Sequence, residues 1–177
     1  MFTEAQRHAL VDLARRTIEA RVSGAAAPAV PDGDWPDASG VFVTIKRNGA
    51  LRGCLGTLDP GPRLAADVAR CAADAATVDP RFPPVAAAEL SGLAIEVSVL
   101  GPLEEIAPPA AAIVIGRHGL VAELGARRGL LLPQVAPEWG WTVDQFLGQT
   151  CVKAGLPADA WQHGARILRF EAEVFGD

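Results

Sequence analysis

Asn48-Gly49 constrains this chain more than any other dipeptide in it. It follows Gly40-Val-Phe-Val-Thr-Ile-Lys-Arg47, a run rich in β-branched residues, and precedes Ala50-Leu-Arg-Gly-Cys-Leu-Gly-Thr57. A two-residue hairpin loop takes a type I′ turn, which needs positive φ at both central positions, and Asn-Gly adopts that conformation readily. The segment is therefore expected as a hairpin in which Arg47 faces Ala50, Ile45 faces Arg52 and Val43 faces Cys54. Directly opposed residues share a sheet face. On that register Arg52 and Cys54 project to one side, roughly 6.5–7 Å apart at Cα. Phe42, Leu51 and Leu55 project to the other side, as core.

Helices and further strands flank this hairpin. Thr3-Glu-Ala-Gln6 is a capping box, and apolar residues at helical spacing carry a helix to about Val22. A loose connection or lid, Gly24 to Ser39, follows. Gly61-Pro62 opens a second helix with Leu64, Val68, Ala72 and Ala75 on one face. Asp79-Pro-Arg-Phe-Pro-Pro84 ends it, and a short helix runs on through Leu90. Leu93, Ile95, Val97 and Val99 alternate with Ala94, Glu96 and Ser98, as in a strand with one buried face. Gly119–Leu124 and Arg128–Leu132 read as a second hairpin. Thr142-Val-Asp-Gln145 caps a helix with Phe146, Leu147 and Cys151 inward. A final strand points Leu168, Phe170, Ala172 and Val174 inward. Strands and helices do not alternate as βαβ units, so the expected class is α+β, mostly antiparallel sheets with packed helices, in a single domain over residues 1–177.

Charge and composition narrow the function. With 16 Lys+Arg against 21 Asp+Glu the net charge is −5. No basic run exceeds two residues, which argues against a nucleic-acid partner. The longest uncharged stretch, Ile106 to Gly116, is eleven residues with two prolines, short of the roughly 20 that span a bilayer. Charges at Glu4, Arg7, Asp12, Arg15 and Arg16 break any signal-peptide core. Three widely spaced cysteines, Cys54, Cys71 and Cys151, read as reduced thiols. A cytoplasmic location is expected.

Few residues are placed to do chemistry. A guanidinium beside a thiol favours the thiolate, so Arg52 and Cys54, with Gly53 and Gly56 beside the sulfur, suggest a reactive cysteine in a glycine-walled pocket. The competing reading is a buried structural cysteine beside a surface arginine. His118, in the glycine-bounded turn Gly116-Arg-His-Gly119, is either a general base or a turn cap. Glu96 either enters a cleft or faces solvent. Asp79 and Arg81 either brace their loop or clamp an anion. Gln134, after Pro133 at a strand end, can read a ligand. Trp139, Trp141 and Trp161 are expected in packing, and Cys71 is expected to be inert. No dinucleotide, P-loop, zinc-protease, nucleophile-elbow or CxxC motif is present, so no cofactor and no metal is expected.

Leu51-Arg-Gly-Cys-Leu-Gly56 resembles the signature of the AMMECR1 family, L-R-G-C-I-G, with Leu55 in place of Ile. Asp79–Pro84, Leu93–Leu100, Gly116–Leu120, Gly129–Ala136 and Cys151–Pro157 resemble further family segments in the same order, so the likeness extends from about Gly40 to Phe175. The resemblance implies two intimately packed lobes with a cleft between them. It also implies kinship with the prokaryotic set, AmmeMemoRadiSam, in which an AMMECR1-like protein is associated with a Memo-like protein and a radical S-adenosylmethionine protein. It implies no established reaction. Two functions are therefore expected. One is a small-molecule enzyme or binder, with Cys54, His118 and Glu96 catalytic and Arg52, Gly53, Gly56, Asp79, Arg81 and Gln134 binding substrate. The other is a non-catalytic subunit that docks on a Memo-like or radical S-adenosylmethionine partner.

Overall fold

In a computed structural model, which describes residues 1–107 and 109–177, the elements run α1 (Glu4–Ser23), β1 (Gly40–Arg47), β2 (Ala50–Thr57), α2 (Leu64–Thr77), a 3-10 turn (Ala87–Gly92), β3 (Leu93–Leu100), β4 (Glu104–Glu105), a 3-10 turn (Pro109–Ala112), β5 (Gly119–Leu124), β6 (Arg127–Leu131), α3 (Val135–Trp139), α4 (Val143–Lys153), a 3-10 turn (Ala160–Gln162), β7 (Arg166–Phe170) and β8 (Ala172–Gly176). Pro108, within the uncharged stretch noted above, lies outside the described residues. The class is α+β. Two compact units are present, one formed by Met1–Leu100 with Glu173–Asp177 and the other by Gly101–Ala172.

The first unit is built on a sheet of order β2-β1-β3-β8, with β1 antiparallel to both β2 and β3. Val41, Val43 and Ile45 alternate with half-buried Phe42, Thr44 and Lys46, so one face of β1 is sealed. Ile95 and Val97 of β3 continue that face. Leu10, Leu13, Ala14 and Ile18 of α1 pack into the same core, with Val68, Ala72 and Ala75 of α2. Thr3 and Gln6 form the expected capping box, and Gly24 ends α1 in the left-handed conformation.

The hairpin turn is type I′, with φ of 52° at Asn48 and 77° at Gly49. Its register departs from the expected one. Leu51 pairs with Lys46 but Gly53 pairs with Ile45, so a β-bulge leaves Arg52 as the extra residue. Beyond the bulge Thr44 faces Cys54 and Val43 faces Leu55. A shift of one residue exchanges the faces of a strand. Cys54 therefore shares its face with Thr44, while Gly53 and Leu55 turn toward the helices. Phe42, expected in the core, pairs with Gly56 on the Cys54 face, and Leu51 is 42% exposed.

The second unit holds a sheet of order β4-β7-β5-β6, antiparallel at every pairing. α4 packs Phe146, Leu147 and Cys151 against Leu120, Ala122 and Ile167. The single final strand expected from alternation is two strands. β7 belongs to this sheet and β8 to the first, and the change of sheet at Glu171 ends the alternation, leaving Val174 exposed. Trp141 and Trp161 pack on this core, whereas Trp139 is 70% exposed and stacks on Trp141.

Asn48→Ala is expected to destabilise the protein by about 1–2 kcal/mol, the cost of placing a Cβ residue without a locally bonding side chain in the left-handed region. Asn48→Gly should recover most of it. Urea unfolding of the three proteins checks this, and an Asn48→Ala protein as stable as the parent would show that the turn conformation is not limiting.

Candidate functional site

Cys54 lies on β2, an edge strand, and its backbone N–H and C=O point away from β1. The N–H donates to Asp79 Oδ2 at 2.9 Å, and the carbonyl accepts from the Arg81 guanidinium at 3.2 Å. Asp79 and Arg81 are themselves joined, Arg81 Nε to Oδ1 at 3.0 Å and its terminal nitrogen to Oδ2 at 2.8 Å. The Arg81 backbone N–H also donates to Oδ1. Asp79 is 4% exposed. Its carboxyl is held far below the usual range, first by the Arg81 side chain and then by the Cys54 and Arg81 amides, against the opposing effect of burial. The Asp79-Pro-Arg segment thus does for the sheet edge what a further strand would do.

Arg52 is tied down separately. Its Nε and one terminal nitrogen each donate to Glu89 at 2.9 Å, and it also donates to the carbonyls of Pro83 and Pro84. Glu89 accepts from the Ala86 amide and from Arg47 as well. Its carboxyl is pulled down to about 2, by the Arg52 side chain first and the Ala86 amide second. The guanidinium expected beside the thiol is therefore not that of Arg52. Arg81 instead bonds the Cys54 carbonyl.

The sulfur meets the hydroxyl of Thr44, which donates to Sγ at 3.2 Å. Thr44 pairs across β1 with Cys54 on one side and with Glu96 of β3 on the other. Cys54, Thr44 and Glu96 therefore form a row across one face, with the outer two about 10 Å apart at two strand spacings. Glu96 accepts from Lys46 Nζ at 2.6 Å in a half-exposed ion pair. Beside Gly53 and Gly56 the room is taken up by protein. A Cβ on Gly53 would collide with the Ala75 carbonyl, and one on Gly56 with the Val41 carbonyl and the Phe42 ring.

The three thiols differ. Cys54 is partly exposed, while Cys71 and Cys151 are buried. Burial pushes Cys71 up to about 11 and raises Cys151 as well. Among the described residues, no group of three or more His, Cys, Asp and Glu side chains could hold a metal ion. Nor is any helix among them long and apolar enough to cross a membrane.

His118 and Gln134 belong to the second unit. His118 is 6% exposed, and its Nδ1 accepts from the Val114 amide at 3.0 Å while its own amide donates to the Val114 carbonyl. Gln134 precedes α3, where its carbonyl accepts from the Glu138 amide. Sequence reasoning missed Thr44 and Glu89. Thr44 is legible only once the bulge sets the register. Glu89 carries a weak signal, a glutamate at the third position of a short helix, where it bonds the amide preceding the turn.

The two depressed carboxyls set the acid response. A carboxyl with a lowered folded pKa stabilises the protein above its unfolded value, near 3.9 for Asp and 4.3 for Glu, and loses that contribution as pH falls toward the folded value. The melting temperature is expected to fall from about pH 4.5 downward, Glu89 contributing down to about pH 2 and Asp79 below that. Asp79→Asn should lower the melting temperature at pH 7 and flatten the acid limb. Thermal unfolding from pH 7 to pH 2 measures both effects, and an unflattened limb would remove Asp79 from the account.

The family model described as AMMECR1 matches residues 11–175. A protein of Methanothermobacter thermautotrophicus is 47% identical over 94% of this chain and 91% of its own. One from Methanosarcina barkeri is 43% identical over 99% of this chain and 92% of its own. The crystal structure of an uncharacterized protein, PH0010, from Pyrococcus horikoshii superposes with a TM-score of 0.87 at 42% identity, covering 95% of this chain and 89% of that one. With its sequence matched almost end to end and its fold shared with that structure, the chain belongs to the AMMECR1 family.

Proposed function

We propose that the protein handles a small molecule through the Cys54 thiol, on the sheet face turned away from α1 and α2. The observation that carries this reading is the hydrogen bond from the Thr44 hydroxyl to a partly exposed sulfur. An O–H donor aimed at sulfur stabilises negative charge there, and the thiolate is the nucleophilic form. The Cys54 N–H and C=O are both held by the Asp79–Arg81 pair, on a strand paired with β1, so the sulfur is held in place without rearrangement. Glu96 supplies a carboxylate farther along the same face, and Lys46 a cation beside it. In the reactive step the thiol proton would pass to solvent and the sulfur would add to the electrophilic carbon of a substrate double bond, such as a carbonyl, whose π pair moves onto its other atom and takes up a proton from solvent. Arg52, bound to Glu89 and two carbonyls, serves to hold the bulge.

Cys54 is expected to react with iodoacetamide at neutral pH at least about tenfold faster than Cys71, whose thiol burial both shields and holds protonated. Thr44→Val should slow Cys54 alkylation severalfold in a protein that still folds. Arg52→Gln should lower the melting temperature and leave the Cys54 rate nearly unchanged. Mass-spectrometric mapping of modification against time measures the rates. Cys54 reacting no faster than Cys71 would move the reading from chemistry to the docking of a partner protein on this face.

A further inference from the structure

The second unit contains a cavity of about 530 Å³, within the size range of small-molecule sites. His118 lines it. With Nδ1 turned to the Val114 amide, the imidazole edge left for the cavity is Nε2. Among the described residues the buried side-chain polar atoms without a partner are Arg7 Nε and Thr17 Oγ1, so Nε2, with no hydrogen bond among them, keeps some exposure on a residue that lines the cavity. Burial first, then the charges of Arg169 and Arg117, hold His118 below its ordinary value, against the opposing pull of Glu171 and Glu104. Because Nδ1 accepts, the imidazole is the neutral form with its proton on Nε2, an N–H donor of a residue 6% exposed that has no acceptor among the described residues.

The charges around this donor are balanced. Arg117 and Arg169 line the cavity together with Glu171 and Glu104. Arg117 pairs with Glu171 at 2.7 Å and Arg169 with Glu104 at 2.9 Å. Arg169 is further fixed by the Ala112 carbonyl. A guanidinium has more N–H donors than these bonds use, and a carboxylate more lone pairs than one guanidinium fills. Pro102, Val114 and Phe170 supply the apolar part of the wall. A purely anionic ligand would meet two carboxylates here, and a purely cationic one two guanidiniums.

We propose that this cavity is a separate binding site for a small zwitterion with an apolar body, of which a free α-amino acid is the simplest. Its carboxylate accepts from His118 Nε2 and the guanidinium edges. Its ammonium donates to the glutamates, and its side chain covers Phe170 and Val114. The inference does not rest on the Cys54 thiol and stands or falls without it.

The test is a titration of protein labelled with ¹⁵N-histidine, following the ring resonances. His8 and His163 are exposed and serve as internal references. L-leucine, L-proline and L-phenylalanine are added in turn, then N-acetyl-L-leucine, which lacks the ammonium, and L-leucinamide, which lacks the carboxylate. At least one free amino acid should shift the His118 signals saturably while His8 and His163 stay in place. If that amino acid is not leucine, its own N-acetyl and amide derivatives replace those of leucine. Each derivative should bind at least about tenfold more weakly than its parent, since each has lost one charge-assisted set of hydrogen bonds. Arg117→Gln should weaken binding severalfold with the melting temperature nearly unchanged, the residue being 64% exposed. No saturable shift with any of the three amino acids, or a derivative that binds as well as its parent, overturns the proposal.

Discussion

An edge strand presents a row of backbone amides and carbonyls with no sheet beyond it, and in this protein the Asp79 carboxylate and Arg81 guanidinium take that place for β2 at Cys54. Asp79 is buried, and a buried carboxylate is tolerated only when its oxygens are filled. Here four N–H groups reach it, two from the Arg81 side chain and one each from the amides of Cys54 and Arg81. Removing Arg81 would leave a charge buried without its counterion, which costs far more than the pair contributes. The conformation of the Leu51–Gly56 segment, the depth of Asp79 and the fixed position of the sulfur are thus one connected arrangement.

The bulge at Arg52 is the second decisive feature. Without it the pairing that starts at Asn48-Gly49 would continue regularly and send the cysteine to the helix side, against Val43. One extra residue moves the thiol to the face of Thr44 and Glu96, and brings Gly53 under the Ala75 carbonyl, where α2 approaches too closely for any Cβ. Glu89 gathers Arg47, Arg52 and the Ala86 amide around one carboxylate, and this holds the bulged residue outside the ladder. Glycine and arginine in this segment therefore answer packing and strand geometry, and the cysteine keeps a partly open side chain.

The second unit solves a different problem. Its turn at Val114–His118 closes on itself through the imidazole, which satisfies one ring nitrogen, and His118 lines a cavity walled by opposed ion pairs. Exposed ion pairs contribute little to stability, so the ordering of Arg169 comes as much from the Ala112 carbonyl and its place on β7 as from Glu104. Histidine in this position closes its turn by accepting the Val114 amide at Nδ1.

The sequence by itself determined the elements that local chemistry specifies. Asn48-Gly49 set the hairpin turn because few residues accept positive φ. The Thr3 and Thr142 capping boxes started their helices because each threonine has its glutamine three residues on. Period-two and helical spacing found β3, α1 and α2, a β-branched run before the turn found β1, and local setting — the hairpin strand, the Pro80 loop and a glycine-bounded turn — marked Cys54, Asp79, Arg81 and His118 as residues of interest. Other features depend on residues far apart in the chain. The bulge is held by Glu89, 37 residues beyond Arg52. The partner of the thiol follows from the register that the bulge imposes. The division of the last strand between two sheets reflects which edges remain open. α3 is a single short turn with no periodicity to detect. Only tertiary structure could decide these, because a hydrogen bond between distant residues is a property of the folded neighbourhood, whereas a cap or a turn is complete within four residues.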